Sequence, residues 1–250
     1  MTPESTRPDA RATEPVTGST DDVQDLIDIA QCVLFDFDGP VCRLYAGRSA
    51  EKVAKEQVRW LEAQGLHGLL AAGMRDEPDP YVVLRAVDER HPDSDLVTEL
   101  EARLTHEEQK AVASAWPTPY ADALIRTWSA TGARLAVATN NSPGPVASYL
   151  TGRGLIDCFT PHIYGRTQNL NLLKPDPHCV NRALSAMGAD PARTLMIGDA
   201  ASDYLAARAA GVHFLGYARN DRKLGVLQKI GAERIVTSLQ PLLKKLNGET

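Results

Sequence analysis

Short apolar runs alternate with helical patterns along most of this chain, and this alternation is the strongest constraint on its fold. Runs that are apolar at nearly every position are typical of strands covered on both faces. They are VLFDFD (33–38), RLAVATN (134–140), TLMIGDA (194–200), HFLGYA (213–218), RIVTSL (234–239) and, more weakly, CFTPHIYG (158–165). Strands that alternate with helices form parallel βαβ units. We therefore predict an α/β fold, a doubly wound parallel sheet with helices on both sides.

One long segment interrupts the alternation. Residues 43–117 contain no convincing strand and consist of helical stretches: SAEKVAKEQVRWLEAQG, DPYVVLRAVDER, SDLVTELEARL and HEEQKAVASAW. We predict a helical insertion over 43–117, with the sheet domain formed by residues 21–42 and 118–250. Residues 1–20 are rich in proline, threonine, serine and charge, and bury too little apolar surface to offset the cost of ordering, so we predict a disordered tail.

Composition excludes several classes of protein. The net charge is −5 and no basic stripe appears, which argues against nucleic-acid binding. No apolar stretch approaches the ~20 residues that a membrane span requires, and the first residues lack the apolar region of a signal peptide. The four cysteines are widely spaced, as expected of free thiols in a reducing compartment. We expect a cytoplasmic protein that binds neither nucleic acid nor membranes.

Polar side chains follow the predicted strands where the strands end. In an open parallel sheet, ligands bind at the carboxyl ends of the strands, so these side chains are expected to meet. They are Asp36 and Asp38 after the first run, Thr139 and Asn140 after the second, Asp199 and Asp203 after the third, and Lys174 before the helix that leads to the third.

Four carboxylates in one place require compensating positive charge. Two like charges ~4 Å apart repel by about 4 kcal/mol at an effective dielectric constant near 20. Lys174 supplies one cation, and a divalent ion that prefers oxygen ligands, such as Mg²⁺, suits the remainder. A phosphate group would find the Thr139 hydroxyl, the Lys174 ammonium and free N–H groups after Asp36. This combination is typical of phosphoryl transfer to a carboxylate nucleophile.

These residues resemble a known family. Asp36-x-Asp38, Thr139, Lys174 and Gly198-Asp199-x-x-x-Asp203 are similar, in order and context, to the four motifs of the haloacid dehalogenase-like (HAD) hydrolase superfamily. The resemblance spans roughly residues 30–240. The helical insertion resembles the cap of the first type in phosphoglycolate phosphatase-like members. The resemblance implies a Rossmann-like core with an inserted helical cap domain, and a Mg²⁺-dependent phosphoric monoester phosphatase.

The resemblance also implies a role for each motif. Asp36 would attack phosphorus and form an aspartyl-phosphate. Asp38 would protonate the leaving oxygen and then deprotonate the hydrolytic water. The groups expected to bind phosphate are Thr139, Asn140 and Lys174, and the metal ligands would be Asp36, the Asp38 backbone carbonyl, Asp199 and Asp203. One departure is Pro40, which stands where the family usually has threonine or valine.

A cap closing over the site leaves little room for a protein, so we expect the substrate to be a small phosphorylated metabolite. Arg43, Tyr45 and Arg48 lie where the chain enters the insertion and are candidates for contact with an anionic substrate. The oligomeric state stays open.

Four other functions share part of this pattern. A phosphomutase of the β-phosphoglucomutase type would share every motif, and only product analysis separates it from a phosphatase. A metal-free dehalogenase is disfavoured by Asp38, because such relatives lack an acid at that position. The order of the motifs and the insertion disfavour a two-component receiver domain. A non-catalytic binding module on this fold is disfavoured because it is expected to have lost a reacting group.

Overall fold

The computed structural model of this chain describes residues 20–249. The tail predicted for residues 1–20 lies outside that range, except for Thr20, at which the first helix begins. Within the described range, no helix is both long and apolar enough to cross a lipid bilayer.

A parallel sheet of six strands forms the centre of the described chain. Within residues 20–249 there are eight strands, of which six form this sheet. In chain order they are β1 (Cys32–Phe35), β2 (Cys42–Arg43), β3 (Trp116–Pro117), β4 (Arg134–Ala138), β5 (Ile163–Tyr164), β6 (Thr194–Gly198), β7 (His213–Tyr217) and β8 (Ile235–Val236). The order in the sheet is β5-β4-β1-β6-β7-β8, while β2 and β3 form a separate antiparallel pair. The chain therefore builds outward from β1 to one edge and then to the other, as in a doubly wound sheet.

Helices cover both faces of the sheet. The helices, in chain order, are α1 (Thr20–Ile29), α2 (Ala50–Ala63), α3 (Pro80–Asp88), α4 (Asp95–Val112), α5 (Ala121–Ala130), α6 (Pro143–Gly152), α7 (Ile156–Phe159), α8 (His178–Met187), α9 (Ala201–Ala209), α10 (Asp221–Lys229) and α11 (Gln240–Leu246). In β1, Val33 and Phe35 pack with residues of α1, α5 and α11, whereas Leu34 packs with residues of α8 and α9. Both faces are buried, which explains why the run is apolar at successive positions.

Some strands are shorter than the sequence predicts. β1 ends at Phe35, so Asp36 and Asp38 lie in the loop that follows it. The weak run 158–165 contains the end of α7 and only a two-residue strand, because Pro161 lies between them and has no N–H to donate to a ladder. The run 234–239 contributes only β8 at the edge of the sheet.

The segment 43–117 consists mainly of α2, α3 and α4, and the last two predicted helical stretches form the single helix α4. Each helix begins at a residue whose side chain accepts a backbone N–H: Ser49, Asp79 and Ser94. The helices pack around a buried cluster of their own, which also includes Leu170 and Leu173. β2 and β3 lie where the segment leaves and re-enters the rest of the chain.

Candidate active site

The seven side chains predicted from the strand ends line one cavity of about 320 Å³. The central strands β4, β1 and β6 are neighbours, so the loops at their carboxyl ends meet. β1 leads to Asp36 and Asp38, β4 to Thr139 and Asn140, and β6 to Asp199 and Asp203, while Lys174 comes from the loop before α8.

Lys174 lies buried at the centre of this group. Its Nζ is 2.8 Å from Asp36 Oδ1 and 2.5 Å from Asp203 Oδ1, and it donates to the Ala138 carbonyl at 2.9 Å. Burial alone would lower the pKa of Lys174, but the carboxylates of Asp203 and Asp36 raise it above its ordinary value. The lysine therefore stays charged and neutralises part of the acidic cluster.

Asp203 has two structural partners besides Lys174. From the first turn of α9, its Oδ2 accepts the N–H of Asp199 at 2.9 Å and of Ala200 at 3.0 Å, the two residues that precede the helix. Burial and the charge of Asp36 raise the pKa of Asp203, and Lys174 opposes this shift. Asp203 thus stabilises the start of α9 and faces the cavity at the same time.

The acidic groups offer a fitting site for a hard divalent cation. Oxygens of Asp36, Asp199 and Asp203, all buried, lie within 4.8 Å of one another. Burial raises the pKa of Asp199 to about 6, and Lys223, whose Nζ is 2.8 Å from Asp199 Oδ2, opposes the shift. Clustered, desolvated carboxylates with oxygen as the only donor atom match the preference of Mg²⁺. The residues present therefore fit the predicted ion.

Asp38 is held in a different way. Its Oδ1 accepts the N–H of Leu44 at 2.9 Å. Burial raises the pKa of Asp38 to about 6, and the neighbouring charge of Asp36 adds to the increase. A carboxyl group with this pKa can exchange a proton near neutral pH, as a general acid and base must.

The turn after Asp38 depends on Gly39. Its φ is +137°, and a Cβ built at this position would lie 2.5 Å from Asp199 Cγ. Asp199 therefore approaches the turn closely only because glycine has no side chain. Pro40, which stands where the resemblance leads one to expect threonine or valine, offers no hydroxyl. Thr118, at the other end of the helical insertion, supplies one nearby, and its Oγ1 donates to the Gly39 carbonyl at 2.5 Å.

Asn140 lines the cavity, but its side-chain amide is hydrogen-bonded to the backbone, and its contact with phosphate stays a prediction. Its Oδ1 accepts the N–H of Lys174 at 2.7 Å, and its Nδ2 donates to the Lys174 carbonyl at 3.1 Å. Both ends of the amide are therefore occupied by the backbone of Lys174. Asn140 joins the end of β4 to the loop that carries the lysine.

Two of the three predicted substrate contacts, Arg43 and Arg48, have other partners in the structure, and their contact with substrate stays a prediction. Arg48 forms ion pairs with Glu56 and Glu107 at 2.5 Å within the helical segment. Arg43 is exposed, with its guanidinium 5.4 Å from the centroid of the Trp116 ring. Neither residue lines the cavity, because local acidic and aromatic partners hold both side chains elsewhere.

Tyr45 lines a second cavity of about 330 Å³, which adjoins the first at Asp38 and Asp199. Its hydroxyl is buried and has no hydrogen-bond partner among residues 20–249. The same cavity is lined by three basic residues that sequence analysis missed, Arg219, Arg222 and Lys223. They follow the end of β7, so the rule that ligands bind at the carboxyl ends of parallel strands could have identified them.

Helix α3 contributes residues to the cavity that are not predicted from the sequence. Tyr81, Val82 and Arg85 line the first cavity opposite the strand ends. No sequence motif marks them, because the approach of α3 to the sheet depends on the packing of the helical segment.

Comparison with known proteins identifies the family. A family model described as haloacid dehalogenase-like hydrolase matches residues 30–211. The chain belongs to this family. The predicted superfamily, the parallel α/β fold and the assignment as a phosphatase-type hydrolase are confirmed by this match together with the relatives described next.

The relatives include phosphoglycolate phosphatases. The protein of that name from Rhodospirillum rubrum is 37% identical over 120 residues, which cover 46% of this chain and 49%, about half, of the relative. The one from Neisseria meningitidis is 27% identical over 230 residues, or 88% of this chain and 95% of the relative. A hydrolase from Pseudomonas syringae has a similar fold, with a TM-score of 0.64 at 22% identity over 87% of this chain and 98% of that one.

Proposed function

We propose that this member of the family is a Mg²⁺-dependent phosphatase that hydrolyses a small phosphorylated metabolite through an aspartyl-phosphate on Asp36. The observation that carries the proposal is the position of Lys174, whose Nζ lies 2.8 Å from Asp36 Oδ1 in a cavity also lined by Asp38 and Thr139. Nucleophile, acid and phosphate-binding groups thus share one space that is large enough for a small substrate.

In the first step, the free carboxylate oxygen of Asp36 attacks phosphorus and the bond to the leaving oxygen breaks. Lys174 holds the other oxygen of Asp36 and supplies positive charge beside the transferred group, and the Thr139 hydroxyl binds an oxygen of that group. The proton of Asp38 passes to the leaving oxygen, which departs as an alcohol. In the second step, Asp38 takes a proton from water, the water oxygen attacks phosphorus, and Asp36 is released with inorganic phosphate.

Asp36, Asp199 and the backbone carbonyl of Asp38 would hold Mg²⁺, with Asp203 as a ligand directly or through water. When bound, the ion supplies positive charge that stabilises the phosphoryl oxygens. The mutual proximity of the oxygens of Asp36, Asp199 and Asp203 supports this assignment. Because Asp203 also accepts two backbone N–H groups and pairs with Lys174, its orientation is determined before any ion binds.

The basic residues of the two cavities favour a substrate with a second acidic group. Arg85 lines the first cavity and forms no ion pair among the described residues, and Arg222 in the second cavity is also without one. The relatives named phosphoglycolate phosphatase point to 2-phosphoglycolate, which carries a phosphate and a carboxylate. We place it first among the candidate substrates. The cytoplasmic location stays a prediction.

Release of inorganic phosphate from a panel of phosphorylated metabolites, with Mg²⁺ and with EDTA, tests the proposal. We expect EDTA to abolish activity and Mg²⁺ to restore it, and Asp36→Asn to reduce kcat at least about a thousandfold. The matched control is Asp157→Asn, an exposed aspartate of α7, which should retain full activity. Full activity with EDTA, or in Asp36→Asn, would refute the mechanism, and transfer of phosphate within the substrate without its release would indicate a phosphomutase.

A further inference from the structure

A buried ion pair joins the helical segment to the sheet domain. Arg166, in the loop after β5, donates from Nη1 to Glu108 Oε1 at 2.9 Å and from Nη2 to Glu108 Oε2 at 3.0 Å. Glu108 lies on α4, and the side chains of both residues have an exposed fraction of 0%. Paired contacts between a guanidinium and a carboxylate restrict orientation as well as distance. The pair therefore holds α4 at a defined position against the loop.

Every N–H group of the Arg166 guanidinium has a partner. Besides the two contacts with Glu108, Nε donates to Glu101 Oε1 at 2.9 Å, Nη1 to the Asn140 carbonyl at 3.0 Å, and Nη2 to Thr105 Oγ1 at 2.9 Å. A guanidinium has five N–H donors, so none is left for a ligand. This excludes Arg166 as a substrate contact and indicates a structural connection between α4 and the loop after β4.

The connection continues to the phosphate-binding position through Asn141. Asn141 Nδ2 donates to Glu108 Oε1 at 3.0 Å, and Glu108 Oε2 accepts the N–H of Ser142 at 3.0 Å. At the other end, Asn141 Oδ1 accepts from Thr139 Oγ1 at 3.0 Å, and the Asn141 N–H donates to the same oxygen at 3.2 Å. The Thr139 oxygen is therefore located by Asn141, whose amide is in turn located by Glu108.

Tyr81 connects this arrangement to the wall of the cavity. Its hydroxyl donates to Glu108 Oε1 at 2.7 Å and accepts from Asn141 Nδ2 at 2.5 Å, and its ring lines the cavity from α3. The helical segment thus contributes groups to the arrangement from both α3 and α4.

We infer that Asn141, Glu108 and Arg166 are positioning residues that hold the Thr139 oxygen in place for binding the phosphoryl group. The hydroxyl proton, which Thr139 donates to Asn141 Oδ1, turns to a phosphoryl oxygen when substrate binds, while the Asn141 N–H still locates the Thr139 oxygen. The inference rests on the proposed function, because it assigns phosphate binding to Thr139. It adds that the helical segment takes part in forming the phosphate site and does more than cover it. It also implies that α4 stays with the sheet domain when substrate enters, because separation would break the paired contacts between Glu108 and Arg166.

Asn141→Ala is the decisive variant, because it removes the link between Glu108 and Thr139. Glu108 keeps its contacts with Arg166, Tyr81 and Ser142 in this variant. We expect the affinity for inorganic phosphate, measured by calorimetry with Mg²⁺, to fall about five- to tenfold. kcat/KM should fall by a similar factor on both aryl and alkyl phosphates, because the phosphoryl group is common to them. The melting temperature should also fall by several degrees, because Thr139 and Tyr81 lose buried hydrogen-bond partners, so the double variant described next separates positioning from stability.

The double variant Thr139→Ala/Asn141→Ala tests the route of the effect. If Asn141 acts through Thr139, adding Asn141→Ala to Thr139→Ala should weaken phosphate binding by less than about twofold. Losses that multiply in the double variant would overturn the inference. Thr139→Ala with unchanged phosphate affinity would instead refute the role of Thr139 in the proposed function, so the two failures are distinguishable.

Arg166→Lys examines the ion pair itself. Lysine keeps the charge but cannot make the paired contacts, so we expect phosphate affinity to fall about three- to tenfold in the folded variant. The matched control is Arg153→Lys, which alters an exposed arginine pair with Asp122 distant from the cavity, and it should leave phosphate affinity unchanged. An Arg166→Lys protein that is folded and binds phosphate like the control would contradict the assignment.

Discussion

At the scale of residues, the site combines buried acids with a few fixed partners. Asp36 pairs with Lys174, Asp199 with Lys223, and Asp38 with a single backbone N–H. The carboxyl with the fewest cationic contacts is therefore Asp38, which is also the group proposed to carry a proton. Burial raises its pKa to about 6 and makes it a better acid-base group than an exposed aspartate.

The role proposed for Asp38 predicts an effect that depends on the leaving group. Asp38→Asn removes the proton donor while preserving the shape of the side chain. An alkyl oxygen needs protonation as it departs, whereas an acidic phenol does not. We expect kcat on an alkyl phosphate to fall at least about tenfold more than kcat on p-nitrophenyl phosphate. Equal losses on the two substrates would count against general-acid catalysis.

The close approach of Gly39 to Asp199 predicts a local effect on the metal site. Alanine at position 39 would place Cβ 2.5 Å from Asp199 Cγ at a φ of +137°, so Asp199 must move. We expect Gly39→Ala to raise the Mg²⁺ concentration needed for half-maximal activity at least about tenfold, and to lower the free energy of unfolding by about 1–3 kcal/mol.

Gly132→Ala provides the matched control for Gly39→Ala. Gly132 has a φ of +86°, but nothing lies within 4 Å of its added Cβ. It should lose about 1 kcal/mol of stability from backbone strain and keep the wild-type Mg²⁺ requirement. Urea unfolding and phosphate release at varied Mg²⁺ measure both effects. An unchanged Mg²⁺ requirement in Gly39→Ala would show that Asp199 is not constrained by the turn.

At the scale of elements, the helical segment is joined to the sheet domain by two kinds of contact. β2 and β3 pair where the chain leaves and returns, and Thr118 hydrogen bonds to Gly39 beside them. α4 packs against α6 and carries the buried contact with Arg166. By contrast, α2 packs mainly against α3 and α4. We therefore expect closure over substrate to move α2 more than α4.

Removal of the helical segment tests its role in selectivity. Most of its apolar side chains pack with one another, so the sheet domain should still fold when residues 44–116 are replaced by a short Gly/Ser linker. Leu170 and Leu173, next to Lys174, would lose their cover, and Tyr81 would be lost from the cavity. We expect the truncated protein to lose selectivity between 2-phosphoglycolate and p-nitrophenyl phosphate. A folded, equally selective protein would show that the segment is not a specificity cap.

At the scale of the whole molecule, stability is coupled to the charge of the acidic cluster. Burial raises the pKa of Asp38 and of Asp199 to about 6, above the ordinary value of 3.8. A raised carboxyl pKa in the folded state adds stability below pH ~4, and this contribution is lost as pH rises through about 6. The metal-free protein is therefore destabilised by these groups at neutral pH, where they are ionised and repel.

This coupling predicts that Mg²⁺ stabilises the protein in a pH-dependent way. The ion binds ionised carboxylates, with which protons compete at acidic pH. We expect 5 mM Mg²⁺, relative to EDTA, to raise the melting temperature by several degrees more at pH 7.5 than at pH 5. Asp199→Asn serves as the control and should lose most of the increase at pH 7.5. An increase of the same size at both pH values would contradict a site made of buried carboxylates.

Much of the fold and of the cavity was predictable from sequence. An apolar run indicates a strand that is buried on both faces, and such a run can be recognised from the local sequence alone. Parallel connections then bring the carboxyl ends of the strands together at one edge of the sheet. Asp36, Lys174 and Asp199 were therefore assigned to one cavity from their places relative to the runs. Strand length was less predictable, because β5 and β8 at the two edges pair on one side only.

Tertiary structure decided how individual side chains are used. Asn140 and Arg48 are polar residues near the motifs, and only their long-range partners show that one holds Lys174 and the other binds acids of the helical segment. Arg166 and Glu108 are 58 positions apart and meet because α4 packs over the loops. Sequence by itself determines where strands begin and which chemistry stands at their ends, since those signals are local. Which polar groups are left free for a ligand depends on contacts between distant segments, and only the folded arrangement establishes these.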